Sequence, residues 1–184
     1  MKNSWIENRV EPHAFVAEIY RRMSLRHRAE QCVPSWAEVK PRVLQAMNEV
    51  GGLLPRDKHA AILDVGFGAG WFLAAFLRLG YTNLFGADFG IQNKAYVKAW
   101  APDAIQLSEI QIDIGGFLED EPETYDFIQI SHVIEHVPKY SLLWVVDALY
   151  RALKPGGVDA AHAKYEGTLC KFLVVRNPGA RIRL

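Results

Sequence analysis

Neither sign of charge is in excess in this 184-residue sequence, where 21 Lys and Arg face 21 Asp and Glu. No net field therefore draws the chain onto nucleic acid or an anionic membrane surface. The basic residues are scattered, apart from Arg21, Arg22, Arg26, His27 and Arg28, which read as a solvated helix face. Long apolar runs are also missing. The longest, Trp71 to Leu77, falls far short of the ~20 residues a membrane-spanning helix needs. Polar and charged residues interrupt every apolar stretch near the N-terminus, where a signal peptide would need an unbroken one. Cysteine is scarce: Cys32 and Cys170 lie in different segments and make no metal spacing. Two free thiols in a reducing cytoplasm are the expectation, with no nucleic-acid or membrane partner.

What is present is enough apolar matter for a sizeable core, at 50% of residues with 11% aromatic. The length suits one domain and an appendage. Residues 1–57 read as a helical preface. Phe15 and Ile19 lie four apart after Pro12, and Ser35 with Glu38 makes a potential capping box. Pro41 disturbs that second helix and offers itself as its first residue, with Val43, Leu44, Met47 and Val50 buried and Gly51-Gly52 at its end. From Lys58 the texture becomes alternating strand and helix. Strands are expected over Ala60–Val65, Asn83–Asp88, about Ile105–Ile110 and Tyr125–Ser131. Helices are expected from Phe72 to Leu79, over Ile91–Trp100 and over Ser141–Leu153. Such alternation implies a Rossmann-like, doubly wound and mostly parallel sheet, which binds ligands at the carboxyl ends of its strands.

The first of those ends carries Asp64-Val65-Gly66-Phe67-Gly68-Ala69-Gly70. A tight strand-to-helix turn needs residues without a Cβ, and the following helix aims its N-terminal amides at whatever lies there. Asp88 ends the second strand, where a carboxylate can accept the hydroxyls of a ribose. A dinucleotide site would have a third glycine for close helix packing. Trp71 stands there instead and argues against a pyrophosphate.

The G-x-G-x-G pattern, with an acid two residues before it, resembles motif I of class I S-adenosylmethionine-dependent methyltransferases. The resemblance extends over about 100 residues. Asp88 matches the ribose-binding acid and Phe89 the apolar residue that packs on adenine. Asp113, followed by Ile114, is similar to the acid that accepts from the adenine amino group, although a loop cap fits Asp113 equally. Tyr125-Asp126-Phe127-Ile128 resembles the fourth-strand signature, and Leu153-Lys154-Pro155-Gly156-Gly157 the turn before the fifth strand. The resemblance implies S-adenosyl-L-methionine as cofactor, with Asp64 near its amino group and the Gly66 and Gly68 backbone on its methionine part. Phe67, where relatives often carry cysteine, Gly70 and Ser131 complete the implied cofactor set.

His132-Val133-Ile134-Glu135-His136 follows the fourth strand. As spelled it matches the H-x-x-E-H of inverzincin zinc peptidases. That chemistry needs two histidines one helical turn apart and a third ligand. The preceding strand and Pro138 leave little room for such a helix, so no metal is expected. The other readings are a Glu-His pair lining the cofactor and substrate mouth, as in many methyltransferases, and a purely structural loop. Methyl transfer to an activated sulfonium depends mainly on alignment, and a base helps when the acceptor is a hydroxyl. A histidine exchanges protons near neutrality, which makes His132 the candidate base.

Beyond Gly157 the resemblance stops. Val158-Asp159-Ala160-Ala161-His162-Ala163-Lys164 puts a charge where an aliphatic fifth strand is expected. The reading is therefore a helical cap (1–57), a cofactor-binding core (58–157) and an atypical tail (158–184), with the last strands of a seven-stranded family sheet missing. Missing strands would expose an apolar sheet edge, favour self-association and weaken turnover on a small-molecule or sugar acceptor. A non-catalytic remnant of the fold is the alternative. One explanation of the tail is an out-of-frame translation, since permitted codons can encode an aliphatic strand followed by Thr-Pro-Asn one nucleotide out of register. Sequencing the gene across Gly157 is expected to find that frame change; one uninterrupted frame in independent isolates contradicts it.

Overall fold

The computed structural model describes residues 52–165 and 168–176, except 102 and 112, together with the helical positions Lys40, Pro41, Leu44, Gln45 and Asn48. The expected helix after Pro12 and the Ser35/Glu38 box lie outside the described residues, as do Val43, Met47 and Val50. The helix near Pro41 already includes Lys40, one residue before its expected start. Leu44, expected in its buried face, is 44% exposed.

The core is a sheet in the order β3-β2-β1-β4-β5-β6. Its strands are β1 (Ala61–Val65), β2 (Asn83–Asp88), β3 (Ile105–Glu109), β4 (Tyr125–Ser131), β5 (Leu153–Tyr165) and β6 (Thr168–Arg176). The first five run parallel, and β6 pairs antiparallel with β5. Parallel strands need crossovers, which are supplied by α1 (Trp71–Arg78), α2 (Ile91–Trp100), α3 (Ile114–Glu119) and α4 (Leu142–Ala152). Because side chains alternate along a strand, β1 divides its residues between two cores. Ile62 packs with Leu73 and Phe76 of α1, Val97 of α2 and Phe127 of β4. Leu63 and Val65 pack with Leu118 of α3 and with Val145 and Leu149 of α4. Every residue of β1 is buried, which accounts for its unbroken apolar run apart from Asp64.

The amino ends of the central strands are tied by Asp126, whose Oδ2 accepts from the Ala61 backbone N–H at 2.8 Å and from Lys154 Nζ at 2.7 Å. One side chain thus joins β4 to both neighbours. Such charge-assisted bonds contribute about 1–3 kcal/mol when screened from water, and less in this half-exposed position.

The structure corrects the sequence reading at the C-terminal side. The sheet does not break after Gly157. Tyr125 pairs with Leu153 and Phe127 with Val158, so Lys154–Gly157 loop out opposite Asp126 as the expected turn. From Val158 the strand continues in parallel register with β4 as far as Ser131↔His162. A sixth strand, not expected from the sequence, then returns antiparallel along β5. Its segment Thr-Leu-Cys-Lys-Phe-Leu-Val-Val-Arg is rich in residues that suit a pleated surface. In the sequence alone, the charge of Asp159 weighs against strands in this region. The backbone of Asp159 sits between Ile128 and Val175, within an internal strand.

The chain leaves β1 toward one side of the sheet and reaches β4 on the other. Their adjacent carboxyl ends, at Val65 and Ser131, form the switch point where open α/β sheets bind ligands.

Candidate active site

Three glycines shape the loop that leaves β1, with φ of +70° at Gly66, +50° at Gly68 and +78° at Gly70. Side chains resist this left-handed conformation. At Gly66 a second constraint applies, because a Cβ there would overlap a γ-methyl of Val133. The loop after β1 and the segment after β4 therefore touch across the switch point. The Gly66 N–H donates to Ala87 O at 2.6 Å and the Gly70 N–H to Phe67 O at 2.7 Å, which fixes both ends of the turn. Phe67 itself is buried in the core beneath α1.

Asp88 stands at the end of β2. Its Oδ2 accepts from the Gly68 N–H at 2.8 Å, and its Oδ1 accepts from the Gly90 N–H at 2.8 Å and from Asn93 Nδ2 at 3.0 Å. The acid and the glycine loop, twenty residues apart, are thus one unit. Phe89 follows, half-buried against the cluster that holds Val65 and Ile130. Asp113 caps α3, its Oδ1 accepting from the Gly116 N–H at 2.7 Å, so the loop-cap alternative describes its contact in this structure. Ile114 is buried in the core.

Ser131 ends β4, half-buried, and His132 follows it, exposed and with a left-handed φ of +55°. A non-glycine residue with positive φ is uncommon, although histidine tolerates it better than most. The bend places His132 Nδ1 3.5 Å from Glu135 Oε1. Ile134–His136 is a three-residue 3-10 turn, so His132 and His136 do not share the helix that a zinc peptidase requires. Among the described residues no cluster of three or more His, Cys, Asp or Glu side chains is arranged to hold a metal.

Asp64 is 2% exposed. Burial in the sheet raises its carboxyl well above the usual carboxylate range, and the charge of Asp88 raises it further. Its register partner on β4 is Gln129, which is fully buried and which the sequence reading passed over. The available signal was one amide in the otherwise apolar middle of Tyr-Asp-Phe-Ile-Gln-Ile-Ser. Among the described residues four buried side-chain atoms have no hydrogen-bond partner: Asp64 Oδ2, Gln129 Oε1, Gln129 Nε2 and Ser141 Oγ. Three of them thus belong to one registered pair beneath the glycine loop.

A parallel sheet with a glycine loop after its first strand, pinned by an acid at the end of its second, defines the nucleotide-binding half of a Rossmann-like protein. A family model described as a methyltransferase domain matches residues 34–161, and the chain belongs to that family. The ubiquinone biosynthesis O-methyltransferase of Pseudomonas putida (strain GB-1) is 30% identical over 145 residues, covering 77% of this chain and 60% of that protein. The protein of the same name from Klebsiella pneumoniae (strain 342) is 33% identical over 108 residues, 58% of this chain and 42% of its own length. The chain thus spans 60% or less of the curated relatives it matches.

Among solved structures, a SAM-dependent methyltransferase from Archaeoglobus fulgidus aligns with a TM-score of 0.55 at 20% identity, over 72% of this chain and 54% of that one. The Haemonchus contortus phosphoethanolamine N-methyltransferase 2, solved in complex with S-adenosyl-L-methionine, aligns at 0.53 and 21% identity, over 65% and 28%. The fold is that of the class I S-adenosylmethionine-dependent methyltransferases.

The raised Asp64 carboxyl has a consequence for stability. A folded-state pKa above the unfolded value means that the folded chain holds the proton more tightly. Stability therefore falls as pH rises from the ordinary carboxylate pKa toward the raised one. Asp64→Asn removes that loss, so its melting-temperature advantage over the parent is expected to be larger at pH 8 than at pH 5. An advantage that does not grow with pH contradicts the assignment.

Proposed function

We propose that the chain binds S-adenosyl-L-methionine at the glycine loop and catalyses transfer of its methyl group to a small-molecule acceptor. The observation that carries this reading is the Asp88–Gly68 contact, which joins a diol-recognising carboxylate to a glycine turn at the switch point. The residues present suit the cofactor. Asp88 receives the ribose hydroxyls. The Gly66 and Gly68 backbone, with Phe67 and Gly70 shaping the turn, cradles the methionine part. The partnerless Oδ2 of Asp64 suits an ammonium group. Phe89 and Ile114 flank the adenine, Asp113 accepts from its amino group, and Ser131 closes the site from β4.

The bound cofactor supplies an electrophilic methyl sulfonium. The protein's task is to hold the acceptor in line with it and keep water out. The curated relatives are named as O-methyltransferases, and a hydroxyl acceptor fits the position of His132. Exposed at the mouth and oriented by Glu135 at 3.5 Å, His132 takes the acceptor's proton as the new bond forms. Cytoplasmic action on a soluble metabolite accords with the even charge balance; no helix among the described residues is long and apolar enough to cross a membrane.

A second reading is a binding protein of the same fold without turnover. Both readings require the cofactor pocket. Calorimetric titration of S-adenosylhomocysteine into the purified chain is expected to show micromolar affinity. Asp88→Ala should weaken it at least about tenfold, equivalent to ~1.4 kcal/mol. A folded chain that binds nothing contradicts both readings.

A further inference from the structure

We propose that Asp64 and Gln129 share a proton beneath the glycine loop of the ligand-free protein, as a neutral carboxylic acid–carboxamide pair, and that a cationic ligand group arriving at the loop expels this proton to solvent. The inference rests on the reading that the loop takes the ammonium-bearing end of S-adenosyl-L-methionine.

The pairing follows from register. Asp64 lies opposite Gln129 in the parallel β1–β4 ladder, so both side chains leave the same face of the sheet. Two residues earlier on each strand, Ile62 and Phe127 share the cluster under α1. Neighbouring strands are about 4.8 Å apart, within reach of an aspartate and a glutamine side by side. Each of the three orphaned atoms costs stability while unpaired. One proton on Asp64 satisfies them together. The acid O–H donates to Gln129 Oε1 and Gln129 Nε2 donates to the second carboxyl oxygen, once the Gln129 side chain turns to face it. An ionised Asp64 would leave Oε1 without a donor.

The surroundings of Asp64 favour its protonated form. Asp88 accepts three hydrogen bonds, two of them from backbone N–H groups. Asp64 has no such donors on Oδ2, is buried, and faces the Asp88 charge. The neighbouring strands put uncharged residues at the register positions around it. β2 places Gly86 beside Asp64, β4 places Gln129 there, and β5 places Ala160 opposite Gln129. The charged residue of α1 is Arg78, in its last turn, and those of α2 are Lys94 and Lys98. Among the described residues Asp88 is the charge that acts on Asp64.

An ammonium group at the loop supplies the positive charge that Asp64 lacks. Asp64 then ionises, its proton passes to the buffer, and the carboxylate accepts from the ammonium N–H. No other bond changes. Binding of this kind strengthens with pH by up to about tenfold per unit, levelling off once Asp64 is ionised in the free protein.

Infrared spectroscopy of the ligand-free chain at pH 6 tests the pair without any ligand. A protonated-carboxyl carbonyl band is expected, lost in Asp64→Asn and displaced to higher frequency in Gln129→Leu. Absence of the band overturns the proposal, and a band indifferent to Gln129→Leu overturns the role of the glutamine. Calorimetry with S-adenosylhomocysteine at pH 6, in two buffers of different ionisation enthalpy, then counts protons. Release of close to one proton per ligand, abolished in Asp64→Asn, is the expected result. Binding without release overturns the expulsion step and leaves the cofactor site standing. Failure of a folded chain to bind, with the infrared band present, overturns the cofactor reading and the expulsion step but not the proton pair.

Discussion

The carboxylate of Asp88 accepts from the loop after β1 through one oxygen and from the start of α2 through the other. Loop and helix belong to successive β-α units, so a single side chain sets the distance between them. The rest of the site follows from that anchor. Gly68 can offer its N–H to Asp88 because the loop turns through three left-handed glycines. The loop stays low over the sheet because the Gly66 N–H is bonded to β2 and its Cα lies against Val133. Val133 in turn belongs to the segment after β4, where His132 and Glu135 stand. The glycine loop and the segment after β4 are therefore in contact through packed atoms.

The same anchor explains why two aspartates so close together behave differently. Asp88 is supplied with three donors; Asp64 lies deeper, has an Oδ2 without a partner, and is driven toward its neutral form.

Much of this was legible in the sequence. The bounds of β2, α2 and β4 agree with the apolar periodicity, and the glycine turn and Asp88 stand at the strand ends where the sequence puts them. Features set by tertiary contacts were not legible. The six residues of α3 include Gly115 and Gly116, poor helix formers. The helix exists because Asp113 caps it and because the Trp144 ring lies where a Cβ on Gly115 would be. The strand β6 was hidden behind the charge on Asp159, which weighed against any strand in that region. Gln129 was overlooked because its meaning depends on which residue stands opposite it, and register is a property of the paired sheet. His132 was noticed for its chemistry, but its left-handed backbone could not be read from residue type.

Whether the glycine loop and Asp88 form one ligand site is decided by a crystal structure of the chain with S-adenosylhomocysteine. The nucleoside is expected over the carboxyl ends of β1 and β2, with its ribose hydroxyls on Asp88 and its amino group on the Asp64 side of the loop. A ligand bound elsewhere on the chain, with the Asp88–Gly68 contact undisturbed, would contradict it.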